Sequence, residues 1–140
     1  MTIADFLTPL PLVAVLRGIS PPEVPGVADA LTGAGFRMLE VTLNSPEPFD
    51  SIRALAARCG KTCLVGAGTV IDPSDVARVR EAGGRLIVMP HADVAVIREA
   101  KRQGLVWVPG VATPTEAFAA LAAGADALKA RTSRPGALQQ

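Results

Sequence analysis

The 140-residue chain has two cysteines, one histidine, one tryptophan and no tyrosine, and its formal net charge is only +1. Each shortage removes a class of function. With 14 basic side chains against 13 acidic ones, and no run of lysines or arginines before the last dozen positions, the chain lacks the electrostatic footprint of a nucleic-acid or anionic-membrane binder. Neither nucleic acid nor membrane is an expected partner. His91 stands alone and there is no second pair of cysteines, so no metal site is expected. No apolar stretch approaches the roughly 18 residues that a membrane helix needs. The start, Met1-Thr2-Ile3-Ala4-Asp5-Phe6-Leu7, has no basic segment ahead of its apolar residues, which predicts a cytoplasmic protein. Cys59 and Cys63 then read as reduced thiols rather than as a C-x3-C redox or metal pair, because Cys59 falls at a helix end and Cys63 at a strand start.

What the chain does have is the raw material of one compact domain, with 49% apolar and 19% charged residues. Short apolar, strand-like runs occur at 12–16, 38–43, 63–66, 85–89, 106–109 and 127–129, their starts 21 to 26 residues apart. Segments with helical spacing of apolar residues lie between them, at 24–32, 48–59, 73–82, 92–103 and 114–123. The punctuation agrees. Ser20-Pro21-Pro22-Glu23, Asp72-Pro73-Ser74 and Thr113-Pro114-Thr115-Glu116 place a capping residue and a proline at helix starts. Gly33-Ala34-Gly35, Gly60, Gly83-Gly84, Gly104 and Gly124 follow the helical runs, where a left-handed residue is easiest without a Cβ.

Strands joined by helical crossovers are parallel, and units of this length point to a β/α barrel or a doubly wound sheet. Five complete units and a sixth strand, set against the eight of a closed (β/α)8 TIM barrel, predict an incomplete barrel. Its domain covers residues 1–129 and an irregular tail covers 130–140. The first and sixth strands would then expose unpaired edges. The doubly wound alternative needs no eight strands, but its G-x-G-x-x-G turn is missing: the first strand leads into Arg17-Gly18-Ile19-Ser20-Pro21. Gly66-Ala67-Gly68-Thr69-Val70 lacks the third glycine and the lysine of a phosphate loop, so it is weak as a nucleotide motif.

In a β/α barrel the reactive groups gather at the carboxyl ends of the strands. Here those ends carry Arg17, then Glu40 with Thr42 and Asn44, Thr69, Pro90-His91, Pro109-Gly110, and Lys129. Strand alternation puts residues 38, 40 and 42 on one side and 39, 41 and 43 on the other. A carboxylate on the inner side is costly unless it is paired or functional. Lys129 is its obvious partner, and a buried Glu–Lys or Glu–Arg ion pair is the competing structural reading. Arg17 can fork a carboxylate or phosphate, or simply bridge to Glu40. Thr69 can hold an oxyanion or cap its own turn. His91 reads as a surface or helix-capping residue, Trp107 and the four phenylalanines as core or interface, and Asp126 and Glu116 as caps.

A lysine at the end of a buried strand is a candidate imine-forming amine, its pKa lowered in apolar surroundings by desolvation. The iminium is an electron sink. Cleavage of a neighbouring carbon–carbon bond then needs an acid/base group, for which Glu40 serves, and donors for a carboxylate, for which Arg17 and Thr69 serve. No metal, nucleotide or other cofactor is required.

The segments Leu10-Pro11-Leu12-Val13-Ala14-Val15-Leu16-Arg17-Gly18, Leu39-Glu40-Val41-Thr42-Leu43-Asn44-Ser45-Pro46, Gly66-Ala67-Gly68-Thr69-Val70, Val108-Pro109-Gly110-Val111-Ala112-Thr113-Pro114-Thr115-Glu116-Ala117 and Ala127-Leu128-Lys129 together resemble the KDPG/KHG aldolases. The resemblance runs in order from about Leu10 to Lys129. It implies a class I aldolase that splits a 2-keto-3-deoxy-6-phospho sugar acid, of galactonate or gluconate configuration, into pyruvate and glyceraldehyde 3-phosphate through a Schiff base. By that resemblance Lys129 is the imine lysine, Glu40 the general acid/base, Thr69 a neighbour of the pyruvate carboxylate and Pro90 part of the pocket wall. Gluconate-type members carry an arginine in a T-L-R-T segment, whereas this chain has Thr42-Leu43-Asn44-Ser45. Asn44 thus stands at the arginine's place, and Arg17 resembles the substitute in the galactonate branch. Family likeness also implies a homotrimer.

After Lys129 the chain departs from the family's Phe-Pro pair and its two further strands. That departure predicts a truncated enzyme with impaired substrate grip, and its rivals are a non-catalytic fragment and a small-molecule binding domain of doubly wound fold. The enzymatic reading requires the Lys129 amine and the Glu40 carboxylate to share one dry chamber of pyruvate size.

Overall fold

The computed structural model describes residues 2–130. The expected irregular tail lies outside them except for Ala130, which extends a strand. In chain order the elements are β1 (Leu10–Leu16), α1 (Val24–Gly33), β2 (Phe36–Thr42), α2 (Pro48–Cys59), β3 (Leu64–Gly68), α3 (Pro73–Glu81), β4 (Leu86–Val88), α4 (Val94–Arg102), β5 (Val106–Val108), β6 (Gly110–Val111), α5 (Pro114–Ala122) and β7 (Lys129–Ala130). Short 3₁₀ turns at Ile3–Phe6 and Pro21–Glu23 precede β1 and α1.

Five strands form one parallel sheet in the order β1-β2-β3-β4-β5, and β6 pairs in parallel with β7. This sequential order decides between the two folds the sequence allows. A doubly wound sheet reverses its strand order at a switch point; here every strand adds beside its predecessor, as in a barrel. The sixth apolar run of the sequence is β7, displaced towards the carboxyl end of that run. The run at 106–109 gives β5, and β6 begins beyond Pro109, which has no N–H with which to continue a ladder. Its carbonyl still works, accepting the Lys129 N–H at 2.9 Å.

Alternation along the strands sorts the core into two layers. Leu39, Val41, Val65, Ala67, Ile87 and Trp107 turn outward and pack with Val24 and Ala28 of α1, Ile52 and Leu55 of α2, Val76 and Val79 of α3, and Val96 and Ile97 of α4. Met38, Leu64, Leu86, Val88 and Val106 turn inward, with Phe6 packed among them. Parallel register sets Glu40 beside Gly66, and Gly66 beside Leu86. A Cβ on Gly66 would lie 1.8 Å from the Leu86 carbonyl oxygen, a distance no side chain tolerates, so a glycine is needed for β3 and β4 to approach. The inner layer thus has its residues of bulk near one end and polar or bare positions towards the other.

β1 behaves as the expected edge. Its only strand partner among the described residues is β2, and Leu12, Val13 and Val15 are exposed. Caps stand where the sequence places them: the Asp72 carboxylate accepts from Ser74 N–H, and the Thr113 hydroxyl accepts from Glu116 N–H while Glu116 accepts in return. The α4 cap is Asp93, which accepts from Ala95 and Val96 N–H; His91 is half exposed, 4.0 Å from that carboxylate. Gly60, expected to be left-handed, has φ −61°. What it needs is space, since a Cβ there would sit 2.4 Å from the Ala56 carbonyl oxygen.

Trp107 is fully buried, and its indole N–H donates to the Gly124 carbonyl at 3.0 Å. Asp126 is not a helix cap. Its carboxylate accepts the Trp107 backbone N–H at 3.1 Å and its own N–H donates to the Trp107 carbonyl at 3.2 Å, which ties the approach to β7 onto β5. Cys59 and Cys63 are both buried thiols. Burial, reinforced by the neighbouring Cys63, pushes the Cys59 thiol up to about 12, so it stays protonated and weakly nucleophilic. No helix among the described residues is long and apolar enough to cross a membrane.

Candidate active site at the carboxyl ends of the strands

A cavity of about 190 Å³ opens at the carboxyl ends of the strands, lined by Val15, Arg17, Glu40, Thr69, Val88, Met89, Pro90 and Lys129. That is the scale of a small organic acid rather than of a single water. Five of the six site residues expected from sequence, Arg17, Glu40, Thr69, Pro90 and Lys129, meet here. They arrive from β1, β2, β3, β4 and β7, separated by up to 112 positions in the chain. The sixth, Asn44, is exposed on the turn after β2 and is not among the lining residues. Two positions beyond Thr42 the chain has left the strand, so the alternation that aims Glu40 and Thr42 inward no longer governs it.

Glu40 is only 3% exposed, and its Oε2 has no hydrogen-bond partner among the described residues. Burial pushes its carboxyl pKa up, and the charges of Lys129 and Arg17 oppose that with weaker effect. The ion pairs among the described residues are all surface pairs and include neither Glu40 with Lys129 nor Glu40 with Arg17. The buried salt-bridge reading is therefore not what the geometry shows. A buried carboxyl with a raised pKa and an acceptor atom left without a partner among the described residues is a candidate for acid/base chemistry.

The backbone around it is shaped for close approach. A Cβ on Gly68 would lie 2.7 Å from Glu40 Oε1, so the carboxylate rests against bare main chain. Thr69, next in sequence, has φ +60°, a conformation that costs a non-glycine residue of order 1–3 kcal/mol and persists where the surroundings impose it. The Leu43 N–H donation to the Gly68 carbonyl at 2.9 Å helps to impose it. Gly110 allows a close approach behind Pro90: a Cβ there would meet the Pro90 carbonyl oxygen at 2.4 Å. Met89 lies outside the segments that mark the site in the sequence, because its part in the lining is steric.

Lys129 lines the cavity but is exposed, as is Ala130. The dry chamber expected for the amine is thus dry only on the Glu40 side. Among the described residues β7 pairs with β6 alone, and no further strand shields its other edge.

A singly wound parallel β/α sheet whose polar residues converge at the strands' carboxyl ends defines an α/β protein of the TIM-barrel type. A family model described as "KDPG and KHG aldolase" matches residues 3–134. The chain belongs to this family. It is 51% identical over 119 residues, 85% of this chain and 56% of the relative, to the probable 2-dehydro-3-deoxy-6-phosphogalactonate aldolase of Rhizobium meliloti (strain 1021). With the 2-dehydro-3-deoxy-6-phosphogalactonate aldolase of Escherichia coli (strain K12) it is 48% identical over 125 residues, 89% of this chain and 61% of that one. The chain therefore spans 56–61% of the length of these two relatives.

Among solved structures, "Native KDPGal structure" matches with a TM-score of 0.88 at 44% identity, covering 96% of this chain and 64% of the other. A KDPG aldolase from Legionella pneumophila, with pyruvate captured as a covalent carbinolamine intermediate, matches with a TM-score of 0.78 at 29% identity, covering 87% of this chain and 58% of that one.

Proposed function

We propose that this chain carries the pyruvate-handling site of a class I aldolase acting on 2-dehydro-3-deoxy-6-phosphogalactonate, with the gluconate epimer as the poorer substrate. The observation that carries this reading is that Lys129 and Glu40 line one small cavity together with Arg17 and Thr69. Support for the galactonate preference comes from the relatives' names and from Arg17 standing in the cavity while Asn44 stands outside it. The family likeness extends the reading to a cytoplasmic homotrimer.

In the proposed sequence the unprotonated Lys129 Nζ attacks the C2 ketone, and the carbinolamine loses water to give an iminium. Glu40 takes the proton of the C4 hydroxyl. The C3–C4 bond then breaks, its electrons flowing into the iminium to leave an enamine, and glyceraldehyde 3-phosphate departs. Glu40 returns its proton to C3, and water releases pyruvate and the free amine. Arg17 and Thr69 hold the carboxylate of the keto acid, and Val15, Val88, Met89 and Pro90 exclude water around C3.

Supplied with each epimer in turn, the chain is expected to release pyruvate faster from the galactonate acid, as read by a coupled reduction assay. Release from neither epimer, together with no adduct when pyruvate and borohydride are added, would overturn the proposal. The bare backbone under Glu40 gives a second expectation. Gly68→Ala should lower turnover by roughly tenfold, because even a sub-ångström displacement of an acid/base group is felt in the rate. Unchanged turnover in a folded Gly68→Ala variant would show that Glu40 is not the group that moves the proton.

A further inference from the structure

The turn that carries Arg17 is held by a single buried hydroxyl. β1 and β2 pair as far as Leu16 and Val41, and β2 ends one residue later at Thr42. Arg17 and Gly18 follow as a turn, with Gly18 at φ +80°, and among the described residues no strand remains beside them to complete the ladder. Ser45 takes that place. It is 7% exposed; the Gly18 N–H donates to its Oγ at 2.9 Å, the Leu16 carbonyl lies 3.5 Å from the same oxygen, and Thr42 Oγ1 lies 3.0 Å away.

One pattern satisfies all three contacts. Thr42, itself buried, donates to Ser45, whose own proton then goes to the Leu16 carbonyl while its oxygen accepts from both Thr42 and Gly18. The peptide groups on either side of Arg17 are thereby tied to one atom. A second tie fixes Ser45 itself, since its N–H donates to the Thr42 carbonyl at 2.9 Å.

We propose that Ser45 is a positioning residue: through Leu16 and Gly18 it sets the direction in which Arg17 reaches into the cavity, so that the guanidinium meets the carboxylate of a bound keto acid. This role rests on the aldolase reading given above. A long, exposed side chain on an untethered turn would have to be ordered anew by each ligand, and that entropy would appear as weaker binding. The neighbouring Asn44 makes no such contact in the described residues and has no part in it.

The test is borohydride trapping on the full chain over a range of pyruvate concentrations, with thermal melting as a check on folding. Ser45→Ala is expected to raise the half-trapping concentration on the order of tenfold while saturating to the same extent. Ser45→Thr, which keeps the hydroxyl, should restore the wild-type concentration. Arg17→Ala should raise it as well, and adding Ser45→Ala to Arg17→Ala should change nothing further. Thr42→Val, which removes the hydroxyl that seats Ser45, should give an intermediate shift and carries the inference if Ser45→Ala lacks a cooperative melt. A melting loss in Ser45→Ala with an unchanged half-trapping concentration would reduce the hydroxyl to a turn cap and overturn the role, as would an equal shift with and without Arg17. If the wild-type chain traps no pyruvate at any concentration, the aldolase reading falls and this role with it; trapping that ignores Ser45 sinks only the latter.

Discussion

With Lys129 replaced by alanine, treatment with pyruvate and borohydride is expected to leave the mass of the chain unchanged, whereas the wild-type chain gains one reduced three-carbon adduct. The other lysines provide the control. Lys61 lies in the turn before β3, at the amino ends of the strands, and Lys101 sits on α4 with its amine 3.5 Å from the Gly124 carbonyl. Neither lines the cavity, so Lys61→Ala and Lys101→Ala should trap as the wild type does. Lys129→Arg should fail along with Lys129→Ala, because a guanidinium keeps the charge but is not deprotonated to a nucleophile. Turnover of the sugar acid should drop by a factor on the order of 10⁴ or more, the scale on which removal of a covalent nucleophile acts. An adduct that persists in Lys129→Ala, or that maps to Lys61 or Lys101, would move the chemistry out of this cavity.

Glu40→Gln should separate function from stability in opposite directions. The amide keeps the shape of the side chain but cannot carry a proton between C4 and C3, so turnover is expected to fall by roughly 10²–10⁴, the usual contribution of a positioned acid/base group. Imine trapping with pyruvate should survive. Stability should rise instead. Burial lifts the folded-state pKa of Glu40 above its ordinary value of 4.5, so the folded chain holds this proton more tightly than the unfolded chain does. Below pH 4.5 the proton is bound in both folded and unfolded chains and the carboxyl's contribution is fully present; it is lost as the pH climbs through the raised folded value. Glutamine never ionises. Glu40→Gln should therefore melt at a higher temperature than the wild type near neutral pH, and the difference should shrink as the pH falls towards 4. A difference that is independent of pH, or a wild type that is the more stable at pH 7, would mean that Glu40 does not carry the burial strain assigned to it.

The two predictions share one physical cause. A buried carboxyl close to cations but bridged to none among the described residues is a poor structural element, since the desolvation of its charge is not offset by a contact pair. On the proposed aldolase reading, the position serves proton exchange with a ligand that supplies the missing partner. The lysine's situation is complementary: it is open to solvent on one side, and so within reach of a ketone that enters the mouth. Between them, Thr69 holds a strained backbone angle, and Arg17 stands on a turn that a serine fastens. Tolerance of such strain is common where geometry is needed for function.

Much of this was legible in the chain itself. The spacing of apolar runs, the caps at Asp72 and Thr113, and the alternation that turns Glu40 inward and Leu39 outward are local properties, set by backbone periodicity and by which side chains can satisfy a helix end. Lys129 could be placed on the sixth strand for the same reason, although it opens β7 instead of closing the run at 127–129. Other features depend on groups far apart in sequence. Whether β3 adds beside β2 or on the far side of β1 is decided by the packing of whole layers, and no residue of Leu64–Gly68 announces it. The cavity exists because Val15, Glu40, Thr69, Pro90 and Lys129 come together from different strands. The absence, among the described residues, of a contact ion pair at Glu40 and the exposure of Lys129 are likewise matters of distance and covering, not of residue type. Ser45 and Gly68 show the limit most clearly. A hydroxyl that replaces the next rung of a ladder, and a missing Cβ that makes room for a carboxylate, act only through their neighbours. Local chemistry therefore determined the elements and the reactive groups, and tertiary packing alone decided which of those groups face one another, because such contacts are made between atoms that the chain keeps tens of residues apart.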